Sequence, residues 1–257
     1  MDKPFDKKSV LITGGSRGIG KEIALHFARL GSDVILTFVR NEVQANQTAD
    51  EIRAMGRKSA VFQANLSRME HVTRLFDEIQ NNFNHLDIFI SNAASGFNRP
   101  AMQQRPDGWD YTMNTNTRAF LFAVQRVVPL MEIAGGGSIV AISSPGSRRV
   151  LPDYVAVGAS KAALESLTRY LAVELAPKNI RVNAVSPGMV ETEALQHFSS
   201  LSDPQVIQRA IANTPAGRLV TPRDVAGVVA FLCSPEAEMI RGQIITVDGG
   251  YTLITPG

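Results

Sequence analysis

Cysteine is nearly missing from this sequence. Cys233 is the only one in 257 residues, so neither a disulfide framework nor a cysteine-ligated zinc site can be built. That scarcity fits a reducing compartment and predicts a cytoplasmic protein. Charge of one sign is also missing: 26 Lys and Arg against 24 Asp and Glu leave a net charge of +2. Such a balance gives no electrostatic case for nucleic acid or an anionic membrane as the main partner. No apolar run approaches the ~20 residues of a membrane-spanning helix. The N-terminal Met1-Asp2-Lys3-Pro4-Phe5-Asp6-Lys7-Lys8 is polar, and no signal-peptide core follows it. The four histidines, His26, His71, His85 and His197, lack metal-ligand spacing, so no metal is expected. What remains is ordinary: 44% hydrophobic and 19% charged residues exclude disorder as the main state. The length suits one α/β domain.

Short β-rich apolar runs alternate with longer stretches of helical period. Val10-Leu11-Ile12, Val34 to Phe38, Ala60-Val61-Phe62, Ile88-Phe89-Ile90, Ile139 to Ile142, Val182 to Val185 and Ile244 to Val247 make seven runs. They are continuous rather than alternating, as expected for strands buried on both faces of a parallel sheet. Between them, Ile19, Ile23, Phe27 and Leu30 form one apolar helix stripe, and Met69, Val72, Phe76, Ile79 and Phe83 another. Ser67 with Glu70 predicts a capping box at the start of the latter. Strand–helix repeats imply right-handed crossovers. The expectation is one Rossmann-type, doubly wound α/β domain over 1–257, with a seven-stranded parallel sheet and helices on both faces. The segment at about 189–217 fits that rhythm worst and is a candidate substrate lid.

The first strand runs into Thr13-Gly14-Gly15-Ser16-Arg17-Gly18-Ile19-Gly20, where a helix begins. Glycines allow a sharp turn and close approach to a pyrophosphate, and the helix N-terminus offers unpaired N–H groups and a positive dipole end. The spacing differs from the tighter G-x-G-x-x-G fingerprint. An acid at the end of the second strand would bind the ribose 2′-hydroxyl of NAD. Here the strand ends Thr37-Phe38-Val39-Arg40. Arg17 and Arg40 suit a 2′-phosphate, because a planar guanidinium makes paired, charge-assisted bonds to it. NADPH is therefore expected over NADH.

Several motifs agree in order and spacing with the short-chain dehydrogenase/reductase family, which the sequence resembles over nearly its whole length. They are Thr13 to Gly20, Asn92-Ala93-Ala94 after the fourth strand, Asn116 in a helix and Ser143-Ser144 after the fifth strand. Pro187-Gly188 with Thr192 follows the sixth, and Asp248-Gly249-Gly250 closes the seventh. The family usually has a tyrosine four residues before its active-site lysine. Lys161 is that lysine here, and Val157 stands four residues before it. Tyr154 stands seven before. Seven residues turn ~700°, within ~20° of two full turns, so Tyr154 and Lys161 share one face if the helix extends that far. The hydroxyl is displaced by roughly one turn, ~5 Å along the axis. This spacing resembles that of enoyl-acyl-carrier-protein reductases within the family. Leu151 to Gly158, Asn92 to Gly96, Thr214 to Arg218 and Met239 to Gln243 are similar to the NADPH-dependent third type of bacterial enoyl reductase. Pro187-Gly188 instead follows the wider family.

The resemblance implies roles. Tyr154 would donate a hydrogen bond to a thioester carbonyl and stabilise an enolate. Lys161 would hold the nicotinamide ribose, and its charge would lower the tyrosine pKa. Ser144 occupies the family's catalytic serine position, with either a substrate contact or a local backbone bond as its duty. Asn116 would support a helix bend and a proton-relay water. Gly14, Ser16, Arg17, Gly18, Ile19, Gly20 and Arg40 would hold the cofactor phosphates. Asn65 and Leu66 would lie at the adenine, Asn92 and Ala93 along the cleft, and Pro187, Gly188, Val190 and Thr192 at the nicotinamide. Ser95, Phe97 and Met189, with Tyr154, would line the acyl site. The implied activity is reduction of a trans-2-enoyl thioester of acyl carrier protein or coenzyme A by NADPH, in a homotetramer. The alternatives are a reductase of 3-oxoacyl thioesters or other carbonyls, and a non-catalytic nucleotide-binding scaffold.

Overall fold

A computed structural model describes residues 3–192 and 204–254. Seven parallel strands form one sheet in the order β3-β2-β1-β4-β5-β6-β7. They are β1 (Ser9–Ile12), β2 (Asp33–Phe38), β3 (Ser59–Gln63), β4 (Ile88–Ser91), β5 (Gly137–Ile142), β6 (Ile180–Pro187) and β7 (Ile244–Val247). In the centre, Val10 stands opposite Val34 and Ile88, and Leu11 opposite Ile35 and Phe89. Strand order reverses between β1 and β4, and a crevice opens there at the carboxyl ends of the strands.

Successive strand residues point to opposite faces. Leu11, Phe89 and Ile139 accordingly join a core with Phe76, Phe120, Val127 and Leu164. Val10, Ile12 and Ile90 join the opposite core with Ile23, Phe27, Leu36 and Val229. The first layer is α3 (Met69–Asn82), α5 (Ala119–Ile133) and α6 (Val155–Glu174). The second is α1 (Gly18–Arg29), α2 (Glu42–Ala54) and α8 (Pro222–Cys233). With both faces covered, central strands carry no polar alternation, which accounts for the continuous apolar runs. Each fully buried large side chain, such as Phe27 or Phe89, contributes about 1.5–3 kcal/mol of burial energy.

One local expectation fails. Ser67 does not cap α3: the cap position is Arg68, without a side-chain bond, and Ser67 donates both its N–H and hydroxyl to Asn65 Oδ1 at 3.1 and 2.8 Å. An Asx-type turn has outcompeted the capping box for the same hydroxyl. A capping box does form at α8, where Thr221 and Asp224 exchange bonds. β7 is an edge strand with Ile244, Ile245 and Val247 half-buried.

Residues 193–203 of the expected lid lie outside the described residues. Its flanks are pinned: Val190 and Val220 form a parallel bridge, and Ala216 N–H donates to Gly249 O at 3.1 Å. Helix α7 (Pro204–Ala212) lies between them. Among the described residues, no helix is long and apolar enough to cross a membrane.

Candidate active site

The glycine turn is held from beneath. Gly14 N–H donates to Thr37 Oγ1 at 3.2 Å, and Gly15 N–H to Thr37 O at 3.1 Å. Gly14 and Gly18 adopt φ of +66° and +55°, where a side chain is strained. A methyl on Gly20 would overlap Gly14 O, so the turn closes to this curvature only with glycine there. Helix α1 starts with no side-chain cap and no carboxylate in its first turn. Its leading N–H groups therefore remain for an anion from outside. This uncapped, glycine-lined cradle fits a dinucleotide pyrophosphate. Thr192 stands over it: a Cβ on Gly18 would lie 3.6 Å from Thr192 Cγ2. Ser16 has its carbonyl bonded by Thr48, and Ile19 is half-buried.

Asn92 braces the glycine turn. Its Nδ2 donates to Thr13 O and Gly14 O, both at 3.0 Å, while its N–H and that of Ala93 donate to Thr13 Oγ1. The side chain is a clamp beneath the glycine turn. Asn65 likewise has its Oδ1 committed to Ser67, and Leu66 beside it is buried. Arg17 and Arg40 are both exposed, and neither guanidinium makes a hydrogen bond or ion pair among the described residues. Gly188 N–H donates to Val247 O at 2.9 Å, and a Cβ there would lie 2.8 Å from Asp248 Cβ. Pro187 ends β6, and Met189 O accepts from Val220 N–H.

Across the crevice stands the tyrosine–lysine pair. Tyr154 is the N-cap residue of α6, just outside its regular turns, and its carbonyl accepts Gly158 N–H at 2.7 Å. Its hydroxyl is 3.4 Å from Ser144 Oγ, which also accepts Gly146 N–H at 3.3 Å. Burial pushes the phenol above its ordinary pKa, and the Ser144 contact pulls part of the way back. The net direction is upward. Lys161 is 4% exposed, with Nζ donating to Ile142 O at 2.7 Å. Burial pushes its pKa down to about 8.

Asn116 sits in a π-helical turn, Asn114–Arg118, between α4 (Pro106–Met113) and α5. Its amide accepts Ser95 N–H at 2.8 Å and donates to Ser95 O and Ser160 Oγ, each at 2.9 Å. The wide turn joins α4 to α5, and the amide fixes the backbone of Ser95. Phe97 is 60% exposed, with Val150, Leu151 and Val155 exposed on the segment around Tyr154. Arg99 N–H ties the two segments together by donating to Asp153 O at 2.7 Å.

A family model described as Enoyl-(Acyl carrier protein) reductase matches residues 14–252. The chain belongs to the short-chain dehydrogenase/reductase family. It is an oxidoreductase of that family, whose members bind NAD(H) or NADP(H). It is 39% identical over 252 residues to the 1-cyclohexenylcarbonyl-CoA reductase of Streptomyces collinus, covering 98% of this chain and 89% of that one. It is 36% identical to the 7alpha-hydroxysteroid dehydrogenase of Escherichia coli K12, covering 96% and 94%. Among solved structures, a 7α-hydroxysteroid dehydrogenase complexed with NADH and 7-oxo glycochenodeoxycholic acid superposes with a TM-score of 0.91 at 34% identity, covering 97% and 96%. The acetoin dehydrogenase of Salmonella typhimurium gives 0.87 at 28%, covering 97% and 98%.

Several side chains of this oxidoreductase escape a reading of its sequence. Thr13 and Thr37 support the glycine turn through bonds that sequence spacing does not display. Gly96 lies so close to Val157 that a methyl on it would overlap Val157 Cγ2. Glu165 is buried four residues after Lys161, and that one-turn interval was a usable signal.

Proposed function

We propose that this oxidoreductase reduces trans-2-enoyl thioesters with NADPH. The observation that carries the reading is that the hydroxyl beside Ser144 belongs to Tyr154, while Val157 is packed against Gly96. The residue that carries the donor thus stands about one helical turn farther from Lys161 along the sequence than in the common family pattern. Such a displacement suits an oxygen remote from the carbon being reduced, as in a conjugated thioester. When bound, NADPH supplies the hydride that reaches the β-carbon. Gly14, Ser16, Gly18, Ile19 and Gly20 would hold its pyrophosphate, Arg17 and Arg40 its 2′-phosphate, and Asn65 and Leu66 its adenine end. Ala93, Pro187, Gly188, Val190 and Thr192 would hold its nicotinamide end, with Asn92 shaping the turn beneath.

Tyr154 donates a hydrogen bond to the thioester carbonyl and stabilises the negative charge that builds there. Its raised pKa keeps the proton on the phenol, where it can be donated. Lys161, charged at neutral pH, holds the ribose hydroxyls and faces that developing charge. A proton then reaches the α-carbon to complete the saturated acyl thioester. Ser144 fixes the phenol, and Asn116 fixes the floor at Ser95. Ser95, Phe97 and Met189 line the acyl site. The carrier is coenzyme A or acyl carrier protein, and the setting is cytoplasmic. The Streptomyces collinus relative supports the reading, since its name carries a ring alkene beside a thioester carbonyl. A homotetramer is part of the proposal. It is supported by an apolar trough of about 590 Å³ whose lining includes Met113, Leu121, Ala163, Leu167 and Tyr170.

A carbonyl reductase is the second reading. It is favoured by the 3.4 Å approach of Ser144 and Tyr154, which sets two hydroxyls at one point where a ketone oxygen could sit. Crotonyl and acetoacetyl thioesters, each offered with NADPH, separate the two. Oxidation of NADPH with the crotonyl substrate is expected; oxidation with the 3-oxo substrate alone would overturn the enoyl reading.

A further inference from the structure

Glu165 is a buried carboxylate that the chemistry above does not use. It is 4% exposed, on α6, one turn beyond Lys161. Burying a carboxylate is costly unless its oxygens are bonded, so the partners explain its presence. They all come from one short loop. Ser143 Oγ donates to Oε1 at 2.7 Å, Ser147 Oγ stands 2.6 Å from the same oxygen, and Arg148 Nε donates to Oε2 at 3.0 Å. Ser147 Oγ also lies 2.7 Å from Ser144 O.

That loop builds two walls around the tyrosine. Ser144 puts its hydroxyl 3.4 Å from the phenol oxygen. Gly146 lies flat against the ring: a Cβ there would stand 2.6 Å from Tyr154 Cδ1 and 2.7 Å from Cε1. The loop is a single short 3₁₀ turn, Pro145–Ser147, packed along α6. Three bonds to one carboxylate on the lysine's helix set its height relative to that helix.

We propose that Glu165 is a positioning residue: by gripping Ser143, Ser147 and Arg148 it holds the Ser144–Gly146 slot, and through it the Tyr154 hydroxyl, in register with Lys161. The inference rests on the reading of Tyr154 as the donor to substrate. Its reach is confined to the tyrosine side of the crevice. Among the described residues, none of its bonded partners belongs to the glycine turn.

Glu165→Gln keeps the shape and removes the charge. With a crotonyl thioester and NADPH, kcat is expected to fall about tenfold, while KM for NADPH stays within about twofold. A merely structural lesion would loosen both. The deciding readout is a double-mutant cycle with Tyr154→Phe: in that background Glu165→Gln should change kcat by less than about twofold. Multiplied losses in the double variant, an unaltered kcat in the single one, or a parallel rise in KM for NADPH would each overturn the role of Glu165. If the glutamine variant does not fold, Ser147→Ala removes one of the three arms. It is expected to lower kcat severalfold and to show the same lack of additivity with Tyr154→Phe; additivity overturns the proposal. Parental kcat in Tyr154→Phe alone overturns the reading of the tyrosine, and with it this role. A crippled Tyr154→Phe beside additive losses overturns the role of Glu165 only.

Discussion

Gly96 and Val157 are packed so closely that the glycine has no room for a β-carbon. Val157 is 5% exposed and occupies the position four residues before Lys161. A tyrosine there would have to displace the Ser95–Gly96 backbone, which Asn116 holds at both its N–H and carbonyl. The exchange variant Tyr154→Phe/Val157→Tyr is therefore expected to be inactive and to melt at a lower temperature, with overpacking costing about 1–3 kcal/mol. Thermal melts and assays on both thioesters check this. A stable variant that reduced the 3-oxo substrate would contradict it.

Tyr154→Phe is expected to depress kcat by about 10²–10³-fold, the usual loss for one donor to a developing oxyanion. Ser144→Ala should cost less, because at 3.4 Å its hydroxyl adjusts the phenol instead of replacing it. KM for NADPH should hold in both. Steady-state kinetics that gave equal losses would point to a shared catalytic duty.

Lys161 sets a pH limit. With its pKa near 8, the ammonium is lost as pH rises through that value, and kcat/KM should fall on the alkaline side. The stability effect has the opposite sign. Between about 8 and the ordinary lysine value of 10.5, the unfolded chain binds a proton that the folded chain has released, so this group makes folding more favourable as pH rises. Below pH 8 the buried charge is a standing cost. Lys161→Met should therefore be inactive yet melt no lower than the parent at pH 7, as calorimetry and an activity assay would reveal.

In the proposed reading, cofactor choice rests on two exposed guanidiniums, Arg17 and Arg40. Arg17→Ala/Arg40→Ala should raise KM for NADPH about tenfold to a hundredfold and leave that for NADH nearly unchanged. Equal effects on both nucleotides would remove the 2′-phosphate from their duties.

Gly20→Ala places a methyl on Gly14 O. The turn must open, so the variant should lose nucleotide affinity more than stability. Fluorescence titration with NADPH, beside a melt, measures both.

The strands were readable because burial on both faces forces continuous apolar runs such as Val10-Leu11-Ile12. The seven-residue interval from Tyr154 to Lys161 was readable because two helical turns nearly close on it. Tyr154 nonetheless sits at the cap of α6 and not inside it, a boundary that periodicity does not fix. Ser67 was misread because capping box and Asx-type turn are both local options for one hydroxyl, and only the path of the chain chooses between them. Asn92 turns beneath the glycine loop because Thr13 and Gly14 present carbonyls there, a pairing across 78 and 79 residues of sequence. The partners of Glu165 lie 17 to 22 residues upstream, beyond any helical spacing rule.

The amide of Asn116 has a mechanical consequence. It grasps the backbone of Ser95, under the proposed acyl site, and, through Ser160, the middle of the helix that carries the lysine, while Thr117 bonds Ser160 O at 2.8 Å. Floor and wall are riveted at one point. A ligand that pushes the floor down drags the lysine's helix with it, so whatever widening the crevice undergoes must come from the opposite rim.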